Sequence, residues 1–391
     1  MKHFISKLIT TSLILLPLFC LFFQDSILVY AQQDITLSSQ SAVLLEPSTK
    51  TILYEKNSHN ILPPASITKI MTLLITFDQL KEGKVHLNDT VTVSEHAASM
   101  GGSQVYLEPG ETQSLETMIK CVVVSSANDA CVAISEHIAG SEEAFVTMMN
   151  ERAKALGMKD TSFLNCNGLD VEGHHTCAYD IALMSAELIN KYPEIEKYTT
   201  IWMDTITHTT ARGESQFGLS STNKLLKMSP DITGLKTGFT SKAKFCVSAS
   251  GRRNNINLIS VILAAPDSKT RFSEALTLLN YGFSICQMYT APKPQNLTLP
   301  VKYATQEQVS LIPQSSFQYL DTKGSDLSSI TFKYNLPEFA TAPLKAKDKA
   351  GTIEYYLNNS KIGYCNLVYK EDVDKISYFW CLRTMISKLL L

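Results

Sequence analysis

In Pro63-Pro64-Ala65-Ser66-Ile67-Thr68-Lys69-Ile70-Met71-Thr72, a hydroxyl and an amine stand three positions apart. On a helix, that spacing puts Ser66 and Lys69 on one face, a turn apart. A serine hydroxyl is a weak nucleophile until a neighbouring base takes its proton. A lysine serves as that base when burial or a second cation lowers its pKa towards neutrality. The chemistry on offer is covalent acyl transfer. Paired prolines cannot continue a helix but can precede one, and Ile67, Ile70, Met71, Leu74 and Phe77 then recur at helical spacing. Ser66 is therefore expected at the first turn of a buried helix. Ser-x-x-Lys recurs at Ser221–Lys224 and Ser241–Lys244, so the motif alone decides little. Only the first copy follows a Pro-Pro break and opens a long apolar helix.

Two further polar groupings stand where elements begin or end. Ser126-Ala127-Asn128 falls in the break between helical runs at Leu115–Val124 and Asp129–Ala139. Serine and asparagine favour such breaks for capping alone, and Ser-x-Asn also occurs at Ser58–Asn60 and Ser221–Asn223. Lys236-Thr237-Gly238 lies inside a strand-like, glycine-punctuated run from Ile232 to Thr240. His174 and His175 sit in a loop and, without partners at ligand spacing, read as solvated. No Cys-x-x-Cys pair or Cys/His run points to zinc.

The elements that must position these groups follow from periodicity. Residues 41–57 read as a hairpin, with strands at Ala42–Leu45 and Thr51–Tyr54 around Pro-Ser-Thr-Lys. Helical runs continue at Glu142–Leu156 and from the Gly173–Asp180 stretch to Asn190. Strands follow at Phe245–Ser250 and Ile256–Ala265, then helix at Phe272–Phe283. Strands at both ends of a helical middle imply an antiparallel sheet closed by the first and last parts of the domain. From Pro292, short alternating runs at 296–301, 308–312, 316–320, 329–336, 352–357 and 362–369 indicate an all-β module.

The chain of 391 residues exceeds one typical domain. With 45% apolar and 18% charged residues and a net charge of −2, it is globular in composition and gives no reason to propose a nucleic-acid partner. Two lysines, an apolar run from Leu8 to Phe23 and Val29-Tyr30-Ala31 read as a secretory signal removed before Gln32; the competing reading is a retained anchor. Cys20 leaves with the signal. Cys121, Cys131 and Cys246 lie in apolar runs and read as buried thiols, so few or no disulfides are expected. The last stretch, Ile376–Leu391, gathers Tyr378, Phe379, Leu382, Met385, Ile386 and Leu389 on one helical face. It is short of the roughly 20 residues a membrane span needs and carries Arg383 and Lys388. An interfacial helix on a membrane is expected, with a terminal helix docked on the protein as the rival.

Taken in order, Ser66-x-x-Lys69, Ser126-x-Asn128 and Lys236-Thr237-Gly238 form the motif set of penicillin-binding proteins and class A β-lactamases. The chain resembles the serine-type D-alanyl-D-alanine carboxypeptidases, the low-molecular-weight penicillin-binding proteins, down to phrases such as Ser-Ala-Asn-Asp-Ala, Asn-Gly-Leu (167–169) and Gly-Leu-Lys-Thr-Gly. The resemblance implies an α/β (α+β) penicillin-binding-protein/β-lactamase-like catalytic domain with an antiparallel sheet and a helical region, plus a small all-β C-terminal domain. The expected layout is signal 1–31, catalytic domain 32–290, β domain 291–370 and amphipathic anchor 371–391. It further implies an enzyme without metal or cofactor at the outer face of a bacterial cytoplasmic membrane or in the cell wall. The implied partners are peptidoglycan stem peptides, with β-lactams as covalent inhibitors.

In that family's terms Ser66 is the nucleophile, Lys69 its base, Ser126 a proton relay to the leaving amine, and Asn128 a positioning group. Lys236 would hold down the pKa of Lys69. Thr237, Gly238, Phe239 and Arg271 would bind substrate, with Arg271 facing the terminal carboxylate and the backbone N–H groups of Ser66 and Phe239 forming an oxyanion hole. His175 matches a histidine near the cleft. Three positions depart from the family pattern: Lys244 where glycine is usual, Phe239 where histidine is frequent, and Cys177 for serine or threonine. Two rivals stay open. A β-lactamase of class A would need a deacylating glutamate, and no Glu-x-x-x-Asn lies between Asn128 and Lys236. A non-catalytic peptidoglycan-binding scaffold would not need the intact polar set.

Overall fold

The computed structural model describes residues 35–211 and 213–389; the proposed signal segment lies outside them. Strands β1 (Ser41–Glu46) and β2 (Thr51–Lys56) form the expected hairpin. A single tight helical turn, Ala65–Thr68, then leads into α1 (Lys69–Lys81), in which every residue from Lys69 to Phe77 is buried. A helix covered on all sides is central to its domain rather than on its surface. Around it lie α2 (Leu115–Val124), α3 (Asn128–Ala139), α4 (Glu142–Leu156) and α5 (Ala178–Lys191). Their ends follow local chemistry: the Ser114 and Ser141 hydroxyls accept the first-turn N–H groups of α2 and α4, and Gly140 and Gly157 close α3 and α4 in the left-handed conformation.

Strands β3 (Ile232–Thr240), β4 (Lys244–Arg253) and β5 (Ile256–Ala265), followed by helix α6 (Ser268–Ile285), complete the sheet. Its order is β2-β1-β5-β4-β3, and all neighbours are antiparallel. The first strand thus pairs with the last of the sheet, as the strand–helix–strand order predicts. β5 is buried on both faces. Ile259, Val261 and Leu263 join the core of the helical region, while Leu258 meets α6, where a Cβ at Gly282 would come within 2.6 Å of Leu258 Cδ1. Each fully buried aliphatic side chain contributes about 1.5–3 kcal/mol, so this strand fixes the sheet between its two layers.

One sizeable element escapes the periodicity reading. Met203–Thr210 and Gly213–Ser220 form a long hairpin, but its strands are mostly exposed and carry few apolar residues to alternate. A polar ribbon leaves little trace in hydropathy.

The C-terminal part has its own core, with Leu299, Val309, Leu311, Ile353, Tyr355 and Leu367 at its centre. Strands β6 (Thr298–Lys302), β7 (Gln308–Pro313), β8 (Thr331–Asn335), β9 (Ala340–Thr341), β10 (Lys349–Leu357) and β11 (Ser360–Tyr369) make a sheet in the order β8-β10-β11-β7-β6-β9. Helix α7 (Tyr378–Leu389) follows, with Tyr378, Phe379, Leu382, Met385 and Ile386 exposed. No helix among the described residues is long and apolar enough to cross a membrane. Cysteines 121, 131, 166, 177, 246, 286, 365 and 381 are free thiols, and only Cys381 is not buried.

Candidate active site

The turn carrying Ser66 is held from three directions. Ala65 adopts a left-handed backbone, φ 49°, a conformation that non-glycine residues keep only when their surroundings impose it. Its carbonyl accepts a hydrogen bond from Thr68 Oγ1 (2.9 Å), and Thr68 Oγ1 lies 2.9 Å from His174 Nε2. His174 Nδ1 accepts the Leu164 N–H at 3.0 Å. That bond requires an unprotonated Nδ1, so Nε2 carries the proton and donates to Thr68. Burial lowers the His174 pKa to about 4, keeping the ring neutral. His174 is therefore a buried brace for the Ser66 turn, not the solvated loop histidine its sequence context suggests.

Two glycines press on the same turn. Gly168 is left-handed at φ 89°, and a Cβ there would fall 1.9 Å from the Ala65 carbonyl oxygen. A Cβ on Gly238 would lie 3.0 Å from Ala65 Cβ and 3.1 Å from Ser66 N. Strand β3 and the Asn165–Gly168 turn can approach Ser66 this closely only as glycine.

Within that frame Lys69 Nζ donates to Ser66 Oγ (3.0 Å), Asn128 Oδ1 (2.6 Å) and the Asn167 carbonyl (2.6 Å). Asn128 Nδ2 donates to the Gly101 carbonyl at 2.6 Å, which fixes the amide with its oxygen towards the lysine. Lys236 Nζ donates to Ser126 Oγ at 2.7 Å and to the Thr237 carbonyl at 3.2 Å. Ser126 is itself left-handed at φ 60°. Both ammoniums are buried, and both pKa values fall. For Lys69 burial is the leading cause, opposed by the nearby thiols Cys131 and Cys166 and by Asp129. For Lys236 burial leads again, and the charges of Lys69 and Arg271 press the same way, taking it well below the ordinary lysine range. Repulsion between two buried cations acts on both, so the pair sheds its first proton more readily than either would alone. Burial, not the second cation expected from sequence, leads the lowering at Lys69.

The remaining expected residues divide. Thr237 Oγ1 donates to Thr222 Oγ1 (2.7 Å) beside the lysines. Arg271 is buried at the start of α6, its Nη1 donating to the carbonyls of Gly238 (2.8 Å) and Cys246 (3.1 Å). Its Nε has no protein acceptor, and burial lowers its pKa to about 10. Phe239 is exposed and packs on Phe245 at 4.5 Å. His175 bonds to the Gly173 carbonyl through Nδ1 and pairs with Ser162 through its backbone; none of these contacts joins the Ser66 network. Beyond the three motifs, the cluster uses the Asn167 carbonyl, Thr222, His174 and Asp129. The buried carboxylate of Asp129 accepts N–H groups of Val105 and Leu107 and so holds the loop beside Asn128. Asn167-Gly168 and Asp129 lie in phrases already visible in the sequence, but a backbone carbonyl gives no side-chain signal.

A serine, a buried lysine within hydrogen-bond reach and a second lysine–serine pair suit acyl transfer. A family model described as D-alanyl-D-alanine carboxypeptidase matches residues 28–267, and one described as penicillin-binding protein 5, C-terminal domain, matches residues 289–375. The D-alanyl-D-alanine carboxypeptidase DacF of Bacillus subtilis (strain 168) is 38% identical over 366 residues, which cover 91% of this chain and 93% of DacF. Among solved structures, penicillin binding protein 5 from Haemophilus influenzae matches with a TM-score of 0.72 and 30% identity, over 87% of this chain and 99% of that one. Penicillin-binding protein D2 from Listeria monocytogenes in its ampicillin-bound form matches at TM-score 0.56 and 29% identity, over 64% and 99%. By sequence along most of its length and by fold, the chain belongs to the D-alanyl-D-alanine carboxypeptidase family of serine peptidases.

Proposed function

We propose that Ser66 is the nucleophile with which this serine D-alanyl-D-alanine carboxypeptidase removes the terminal D-alanine of peptidoglycan pentapeptides. The observation that carries the assignment is the 3.0 Å hydrogen bond from a fully buried Lys69 to Ser66 Oγ. Deprotonated Lys69 takes the hydroxyl proton as Oγ attacks the carbonyl between the two D-alanines. The tetrahedral intermediate collapses to an acyl-enzyme, and the departing amine of D-alanine receives a proton through Ser126, which Lys236 holds in place. Water then hydrolyses the ester and restores Ser66. Asn128 orients Lys69, and Thr237, Gly238, the backbone N–H of Phe239 and Arg271 lie on or against the strand along which substrate would bind. His175 stays an outlying candidate for substrate contact.

A β-lactam presents a carbonyl to the same serine, and the ampicillin-bound Listeria relative supports reading this chain as penicillin-binding. The remaining assignments belong to the same proposal. They are a signal at 1–31, a catalytic domain at 32–290, a β domain at 291–370, and an anchoring helix at 371–391 that holds the exported enzyme on the outer face of the cytoplasmic membrane. The exposed apolar face of α7 supports the last of these.

Labelled penicillin and mass spectrometry test the core of it. A long-lived adduct on Ser66, with D-alanine release that Ser66→Ala abolishes, is the expected result. Release unchanged in Ser66→Ala would overturn it, and rapid drug hydrolysis without an adduct would favour a β-lactamase.

A further inference from the structure

Three residues distant in sequence converge away from the Ser66 network. His59 Nδ1 lies 2.8 Å from Asp160 Oδ2, and Cys177 Sγ lies 3.7 Å from the same oxygen. All three donor atoms fall within 4.8 Å of one another. We propose that His59, Asp160 and Cys177 bind a divalent metal ion of the zinc class.

The geometry is close to what such an ion requires. Bonds of about 2.0–2.3 Å to nitrogen, oxygen and sulfur in a tetrahedron separate the donor atoms by roughly 3.3–3.6 Å. The His59–Asp160 distance has to open slightly, and the His59 side chain, 61% exposed, has room to adjust. Its ring already rests on Tyr179, with centroids 5.0 Å apart. The metal takes the place of the proton shared between Nδ1 and Oδ2, and the thiol proton leaves on coordination. The exposed side of the imidazole gives the ion a way in and leaves room for a water in the fourth position.

Two observations favour a cation here over a chance cluster. First, Cys177 occupies the N-cap of α5, where its sulfur accepts the Asp180 N–H at 3.4 Å. Hydroxyl and amide side chains cap better; a thiol adds affinity for soft and borderline metals. Second, negative charge is in excess. The buried Asp180 carboxylate accepts from Asp160 N (2.8 Å) and Thr161 Oγ1 (2.7 Å), so it stands fixed next to Asp160. The sequence conceals the site, since no two ligands are near neighbours.

Cobalt(II) titration of the full chain tests this directly. One equivalent is expected to bring up a thiolate-to-cobalt absorption band that zinc displaces. Cys177→Ser, which keeps a capping hydroxyl, should abolish the band, and His59→Gln should weaken binding by more than about 100-fold, beyond the 10–100-fold typical of outer-shell partners. Cys381→Ser, which alters the thiol that is not buried, should leave the band intact. No band, or one that survives Cys177→Ser, would overturn the proposal. Zinc should also raise the melting temperature of the wild type and not of Cys177→Ser; equal shifts in both would count against the site.

Discussion

Two regions invert the usual partition of a folded chain. At the Ser66 turn, long cationic side chains are inside, with Lys69 0% and Lys236 2% exposed. Along α7, large apolar side chains are outside, with Tyr378 77% and Phe379 79% exposed. The first inversion is matched atom by atom: each buried ammonium meets oxygens at hydrogen-bond distance. Among the described residues, the second has no comparable cover for Tyr378 and Phe379. A buried charge persists where a constructed network holds it, and an exposed apolar stripe marks a surface that something else covers. One region carries its complement within the fold, and the other awaits it from outside.

The contrast can be broken at either end. Lys69→Met should reduce penicillin acylation and D-alanine release by about 10⁴-fold, the scale of losing an activating base. The melting temperature should fall modestly, because Asn128 Oδ1 and the Asn167 carbonyl lose their donor; unchanged turnover would remove Lys69 from the mechanism. Gly168→Ala comes next. A Cβ 1.9 Å from a carbonyl oxygen should cost at least about 4 kcal/mol or prevent folding, and a melting temperature equal to wild type would refute the close approach.

His174 gives an intermediate effect with a defined sign. Its folded pKa of about 4 lies below the ordinary 6.5, so between those values the unfolded chain takes up a proton that the folded one refuses. Stability is full above pH 6.5 and falls by up to about 3 kcal/mol as the pH drops to 4. Denaturant titrations across this window should show the slope, and His174→Gln should flatten it. The smallest change concerns α7. Replacing Tyr378 and Phe379 by serine should weaken binding to anionic phospholipid vesicles by up to about 100-fold, since each aromatic ring, half sunk in the interface, contributes about half of the roughly 1.5–3 kcal/mol of full burial. Turnover of a soluble substrate should not change. Undiminished vesicle binding would mean that α7 is not the anchor.

What could be read from sequence was what repeats locally. Helices at Leu115–Val124 and Glu142–Leu156 and strands at Ile232–Thr240 and Ile256–Ala265 stand where periodicity places them, because both faces or one full stripe of each is buried. Ser66, Lys69, Ser126, Asn128 and Lys236 were legible as a set, being side chains at fixed offsets within such elements. The supports were not. Asn167 acts through a carbonyl, Thr222 through a hydroxyl in an otherwise ordinary loop, and His174 through burial that only tertiary packing supplies. His174 and His175 are adjacent in sequence, yet one is enclosed and the other turns to its own loop.

The register of the sheet also sets an order of assembly. Ser41 pairs with Leu263 and Leu45 with Ile259, so the first hairpin has no neighbouring strand until the chain is complete almost to Ala265. Gly168, and later Lys236 and Gly238, enter the site from segments well beyond Ser66 in sequence. Contacts of such long sequence separation form slowly. A growing or truncated chain therefore carries Ser66 and Lys69 side by side for most of its length without the rest of the site around them, and the network closes only when the last strand of the sheet pairs with the first.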